Sequence, residues 1–182
     1  IDGNRGFGNG LCLPAGPLRQ SLDRRHQVDY TLIRSDSNNA NASLHRNLGP
    51  GQIFGLKPAG FYRVQDHQRV NPASLVTGCH GVAGIGHPAR FFQTLRSIGL
   101  SVEPHAFADH HQFCAKELQQ LQSRDALRRP IVMTEKDAVK CAGFAQEDWY
   151  YLRVEAELPG ALIQSIDRQL QVIAGNWVGK SI

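Results

Sequence analysis

The chain has 182 residues, 41% of them apolar and 20% charged, with a formal net charge of +4 and a pI near 9.0. That balance excludes a disordered polyelectrolyte, and the lack of dense Lys/Arg clustering excludes a dedicated nucleic-acid binder. The length suits one medium domain or two small ones, and the mild positive charge suits phosphate-bearing ligands or an anionic membrane surface. No apolar run approaches the ~18 residues that a bilayer-spanning helix needs. Cys12, Cys79, Cys114 and Cys141 show no CxxC spacing. We therefore expect reduced thiols in a cytosolic compartment rather than a zinc ribbon or a redox pair.

The chain opens on Ile1-Asp2 without Met, which reads as the end of a strand begun upstream, so we expect a piece of a longer protein. Residues 3–22 (GNRGFGNGLCLPAGPLRQSL) predict a structured loop or connection. Residues 28–33 (VDYTLI) predict a strand, and residues 35–43 (SDSNNANAS) an exposed polar loop. Residues 52–56 and 61–64 predict two short strands, with Lys57-Pro58-Ala59-Gly60 as the turn of a hairpin.

From Gly81 strands alternate with helices. Strands are expected near residues 82–86, 102–107, 131–134 and 150–155. Pro88 fits the first helical position, Phe91, Phe92, Leu95 and Ile98 share one helical face, and Gly99 ends that helix. The next helix carries Leu118 and Leu121 and starts at one of two cap pairs, Asp109 with Gln112 or Cys114 with Glu117. Thr134 with Asp137 starts a short helix through Cys141. Leu162, Ile166, Leu170 and Ile173 mark a final helix whose apolar face is expected to pack on the sheet. The alternation predicts the α/β class, with residues 79–182 as an α/β domain built on a mainly parallel sheet. Ahead of it stand a Gly/Pro-rich segment and strand in residues 1–34, and a connecting loop with short β strands in residues 35–78. Ligands of parallel sheets sit outside the carboxyl ends of the strands. The turns that hold His87, His110 and Glu135 are therefore expected on one sheet edge.

Several residues could carry chemistry there. In Asp109-His110-His111 a neutral imidazole could take a proton from a hydroxyl, and the adjacent carboxylate could steady its charged form. Alternatively Asp109 is only a helix cap and the histidines a solvated turn. His105, Asp109, His110, His111 and Cys114 are metal-ligand types within ten residues, yet they match no zinc-motif spacing, so no metal site is assigned. Lys136 and Lys140 flank Asp137, and Arg90 follows GIGHP; each could meet an anion or simply form local ion pairs. Gly6, Gly8 and Gly10 do not make a dinucleotide loop. Residues 174–181 (AGNWVGKS) fit a relaxed phosphate-loop pattern, but a helix precedes them where a strand is required.

Taken together, DGNRGFGNGLCLPAGPLRQ, VAGIGHPARFFQTL, FADHHQF and IVMTEKDAVKC closely resemble the tetraacyldisaccharide 4′-kinase (lipid A 4′-kinase) family. The resemblance covers most of the chain in the right order and implies the C-terminal portion of a two-domain phosphate-loop kinase. Residues 1–34 would then be the tail of the N-terminal kinase domain. It implies an enzyme that uses ATP and Mg2+ to phosphorylate the 4′-hydroxyl of tetraacyldisaccharide 1-phosphate in lipid A biosynthesis. It would act peripherally at the cytoplasmic side of the inner membrane of a Gram-negative envelope, without nucleic acid as a partner. By the same resemblance His110 with Asp109 is catalytic, and Asn9, Arg19 and Gln20 are substrate-binding, with Gln20 standing where the family usually has Glu. The phosphate loop and acidic metal pair would come from the N-terminal half, so these residues alone are expected to bind no cofactor and to be inactive. Two other readings are a metal-dependent phosphohydrolase built on Asp109-His110-His111 and a non-catalytic domain that binds an acyl-sugar or a partner protein.

Overall fold

The computed structural model describes residues 1–3, 5–35, 52–75 and 78–178. In chain order the elements are β1 (Leu32–Arg34), β2 (Gln52–Arg63), β3 (Arg69–Val70), β4 (Cys79–Ala83) and α1 (Pro88–Ser97). They continue with β5 (Val102–Ala106), α2 (Ala115–Arg124), β6 (Ile131–Thr134), α3 (Glu135–Cys141), β7 (Trp149–Glu157) and α4 (Gly160–Val178). The chain forms two compact units, Ile1–Lys57 with Ala156–Ile182 and Pro58–Glu155. The expected loop of residues 35–43 lies, apart from Ser35, outside the described residues.

The second unit is the α/β structure that the alternation predicts. Its strands run in the order β2-β7-β6-β4-β5, with β3 on β2. The pairs β4–β5, β4–β6 and β6–β7 are parallel. β4 (CHGVA) is buried at every position and β6 (IVMT) at all but its last, as expected of central strands covered on both faces. One core layer sets Val82, Ile131, Met133 and Trp149 against Phe113, Leu118, Ala138 and Cys141 around α2 and α3. The other sets Cys79, Ala83, Val132 and Leu152 against Phe91, Phe92 and Leu95 of α1. β5 is the edge strand, and its Glu103 and Pro104 are exposed, residue types that discourage further strand pairing.

Pro88 stands in the first turn of α1 and Gly99, at φ 91°, follows its C-terminal cap. Ile98 is the cap residue itself and is exposed, so the buried face ends one turn earlier than its spacing suggests. Of the two expected starts for α2, Cys114 is the N-cap, while the Thr134 side chain accepts from Asp137 N and caps α3.

The expected hairpin at residues 52–64 is a correction. β2 is one continuous twelve-residue strand, with Pro58 and Gly60 inside it. Gly60 takes φ 138°, and a Cβ there would lie 3.1 Å from the Arg69 guanidinium. Glycine thus lets the strand run on where a turn was expected. The hairpin that does form joins β2 to β3, with Phe61 opposite Val70 and Tyr62 opposite Arg69.

In the first unit, β1 pairs in parallel with the start of β2, and Asp2 bridges Arg34. The predicted strand at residues 28–33 is ordered as strand only from Leu32. A 3-10 helix, Leu22–Gln27, precedes it, capped by Ser21. Leu162 at the start of α4 is fully buried and Tyr30 Oη meets Ser165 Oγ at 2.7 Å. Leu170 and Ile173 are each 57% exposed, so the expected apolar face of this helix is covered only near its start.

Candidate active site

The parallel strands bring the turns after β4, β5 and β6 to one sheet edge, and a buried carboxylate ties two of them together. Asp137 is fully buried in the first turn of α3. Its Oδ2 accepts from Gly84 N at 2.9 Å and from Thr134 Oγ1 at 2.7 Å, while Lys140 Nζ donates to Oδ1 at 2.8 Å. Gly84 opens the GIGHP turn, so the turn's first backbone donor is fixed by a side chain 53 residues away. Lys140 also lies over the Phe113 ring at 5.4 Å. Lys140 is therefore spent on structure.

The third turn is tied in by a second ion pair. Lys136 Nζ donates to Asp109 Oδ1 at 3.0 Å across 27 residues of sequence. That hydrogen bond, more than the neighbouring charges, holds the Asp109 carboxyl below the usual carboxylate range. Asp109 Oδ1 also accepts from His110 N at 3.0 Å, and Oδ2 lies 3.9 Å from His110 Nε2. His110 takes φ 63°, in the left-handed region, and its side chain is 77% exposed. A side chain in that position can meet a ligand hydroxyl.

The second histidine is used differently. His111 Nε2 meets Glu117 at 2.9 Å, and its ring packs 4.8 Å from both Phe107 and Phe113. His105 turns to His80, and Cys114 caps α2. The five metal-ligand types of residues 105–114 are therefore not gathered, and the reading of Asp109-His110-His111 as a phosphohydrolase metal centre is not favoured. His87 is the N-cap of α1 and Glu135 the first residue of α3, so both stand in turns at the same edge as His110.

The remaining expected site residues lie in the first unit. Asn9 is turned inward on its own loop: Nδ2 donates to Ala15 O at 2.9 Å and Oδ1 accepts from Leu11 N at 3.1 Å. A Cβ on Gly16 would come within 2.2 Å of that Asn9 oxygen, so only glycine allows the fit. Arg19 and Gln20 line a cavity of about 610 Å³ together with Phe7, Leu18, Leu22 and Val28. Arg24 and Arg25 join them there. Sequence reasoning missed these two, although the Arg pair in LDRRHQ is visible as a basic cluster. Arginines and apolar side chains lining one cavity suit an anionic amphiphile.

Neither the strand-end carboxylates nor the AGNWVGKS segment forms a nucleotide or magnesium site among the described residues. Asp137 and Asp109 each face a lysine, and residues 174–178 of the AGNWVGKS segment continue α4; the rest of that segment lies outside the described residues. A phosphate cradle needs a loop between strand and helix.

A family model described as tetraacyldisaccharide-1-P 4′-kinase matches residues 1–171. The chain belongs to the tetraacyldisaccharide-1-P 4′-kinase family. A relative named tetraacyldisaccharide 4′-kinase from Pseudomonas putida is 44% identical over 173 residues, 94% of this chain and 48% of that protein. One from Shewanella sp. (strain ANA-3) is 40% identical over 182 residues, all of this chain and 50% of its own length. The chain thus spans about half the length of the curated relatives it matches. Among solved structures, LpxK from Aquifex aeolicus, crystallised in an "apo" form in complex with ATP, aligns with a TM-score of 0.58 at 20% identity. That alignment covers 88% of this chain and 48% of the Aquifex chain and carries the shared α/β fold. Among the described residues, no helix is long and apolar enough to cross a membrane.

Proposed function

We propose that the whole kinase containing this chain phosphorylates the 4′-hydroxyl of tetraacyldisaccharide 1-phosphate, the lipid A precursor, with ATP and Mg2+. Family membership supports the reaction class. The observation that carries this chain's role is the exposed His110 imidazole beside Asp109 at the carboxyl end of β5. His110 removes the acceptor proton, and Asp109 offsets the charge that the imidazolium then carries. Lys136 fixes Asp109 on the opposite side, so the carboxylate stays ionised and in place. The cavity of Arg19, Gln20, Arg24 and Arg25 binds the acceptor through its phosphate, and its apolar wall meets the acyl-bearing part. Nucleotide and metal are held by residues outside this chain, so the 182 residues alone transfer no phosphate.

The acceptor's acyl chains place the reaction at a membrane surface. The protein works there peripherally, on the cytoplasmic face of the inner membrane, where this chain's net charge of +4 favours anionic lipid. The test is phosphorylation of tetraacyldisaccharide 1-phosphate by the whole protein and by the 182-residue chain, each with magnesium-ATP. Mass spectrometry should show one added phosphate with the former and unchanged acceptor with the latter. Release of the 1-phosphate by either protein would contradict the kinase reading and restore the hydrolase.

A further inference from the structure

A second polar cluster lies away from the strand-end turns, on the α2 face of the sheet. His80 of β4 is only 2% exposed, yet both its ring nitrogens are engaged. Nε2 meets Asp125 Oδ2 at 3.1 Å, and Nδ1 faces His105 Nε2 at 3.0 Å and Glu103 Oε2 at 3.9 Å. Asp125 also accepts from Arg129 N and Nε, so it is a carboxylate, and the His80 proton belongs on Nε2. Nδ1 is then the ring atom aimed at His105 and Glu103. A carboxylate behind an imidazole is the arrangement that orients metal-bound histidines and raises their basicity.

The spacing suits a small tetrahedral ion. Zinc–nitrogen bonds of about 2.0–2.1 Å put neighbouring ligands about 3.3 Å apart. The separations of 3.0 and 3.9 Å bracket that value. The ligand atoms of His80, Glu103 and His105 all lie within 4.8 Å of one another. Sheet register makes this a feature of the fold: His80 stands opposite Glu103 and Val82 opposite His105, so Glu103 and His105 share the His80 face. The charges also allow it. Glu103 Oε2 is itself held by Arg129 Nη2, as ligating carboxylates commonly are by a second partner, and Glu103 and Asp125 against Arg129 leave one net negative charge to meet a divalent cation. Two imidazoles and one carboxylate favour zinc over magnesium or calcium.

We propose that His80, Glu103 and His105 form a zinc site that staples the edge strand β5 to β4. Asp125 holds His80 in place from the end of α2, and the half-exposed Glu103 leaves a fourth position open to solvent. The site uses none of the residues assigned to phosphoryl transfer, so it stands or falls apart from the proposed activity.

The experiment is titration of the metal-free chain with Zn2+ against a chromophoric chelator, repeated with Co2+ for its visible spectrum. One equivalent should bind at micromolar zinc or tighter, and cobalt should give a tetrahedral spectrum without a sulfur charge-transfer band. Glu103→Gln should weaken binding at least about tenfold, since losing even a group that only orients a ligand costs about 10–100-fold. His105→Ala should abolish it, and Cys114→Ser should leave it unchanged. Glu103 is half-exposed, so its variant folds, and circular dichroism of the zinc-free proteins checks both. No saturable binding, unaltered binding in Glu103→Gln and His105→Ala, or a sulfur band would each overturn the site.

Discussion

Burial pushes the thiols of Cys79 and Cys141 up to about 12 from an ordinary value near 9, and beside Cys141 the Asp137 carboxylate adds to the shift. Cys12 and Cys114 are exposed. At pH 8 a thiol reagent should therefore modify Cys12 and Cys114 quickly, and Cys79 and Cys141 only after unfolding. The folded state holds these two protons more tightly than the unfolded state. Their contribution to stability is thus complete below pH 9 and is lost as pH rises toward 12. The urea midpoint should fall across that window. Equal labelling rates for all four thiols in native protein would contradict the packing. At this scale the sequence was only partly legible. The chemistry of Asp109-His110-His111 stood out, but nothing in it said that a positive φ would expose His110 while Glu117 drew His111 inward. Those outcomes depend on a turn and a partner helix rather than on residue type.

The element that organises the candidate site is α3. Its Thr134–Asp137 cap was visible as a spacing, because both groups lie within one turn. The longer reach of Asp137 to Gly84 N was not, since only sheet register brings β4 and β6 side by side. Removing this carboxylate would strip a buried N–H and a lysine of their partner at once. Asp137→Ala should therefore cost about 3–5 kcal/mol of stability, the range for breaking a buried ion pair. Asp137→Asn should cost less, because an amide oxygen can still accept from Gly84. Equilibrium urea unfolding of the two variants measures both, and equal small losses would show that the turn is held by other means. β2 carries the opposite lesson. Pro58 and Gly60 were read as a turn, yet register with β3 and the approach of Arg69 kept them in a strand. Local turn chemistry lost to tertiary pairing there.

Across the whole molecule, periodicity after Gly81 was enough to foresee a mainly parallel sheet alternating with helices, because each apolar run is short and ends in a polar turn. His80 escaped notice, since a single histidine at the start of an apolar strand has no motif. The cavity lined by Arg19 and Gln20 escaped in part, since Arg24 and Arg25 reach it only through the short helix after Ser21. Arg24→Glu with Arg25→Glu in the whole protein should raise the KM for acceptor at least about tenfold and change kcat little, the signature of lost uniform binding. A fall in kcat at unchanged KM would place those arginines elsewhere in the mechanism. The central claim is that His110 takes the acceptor proton. Loss of general-base help costs about 10²–10⁴-fold in rate. The decisive measurement is kcat of His110→Ala and His111→Ala in the whole protein at saturating ATP and lipid acceptor. A loss in that range is expected for His110→Ala, with apparent ATP affinity little changed, and a much smaller loss for His111→Ala; equal, mild losses for both would contradict proton removal by His110.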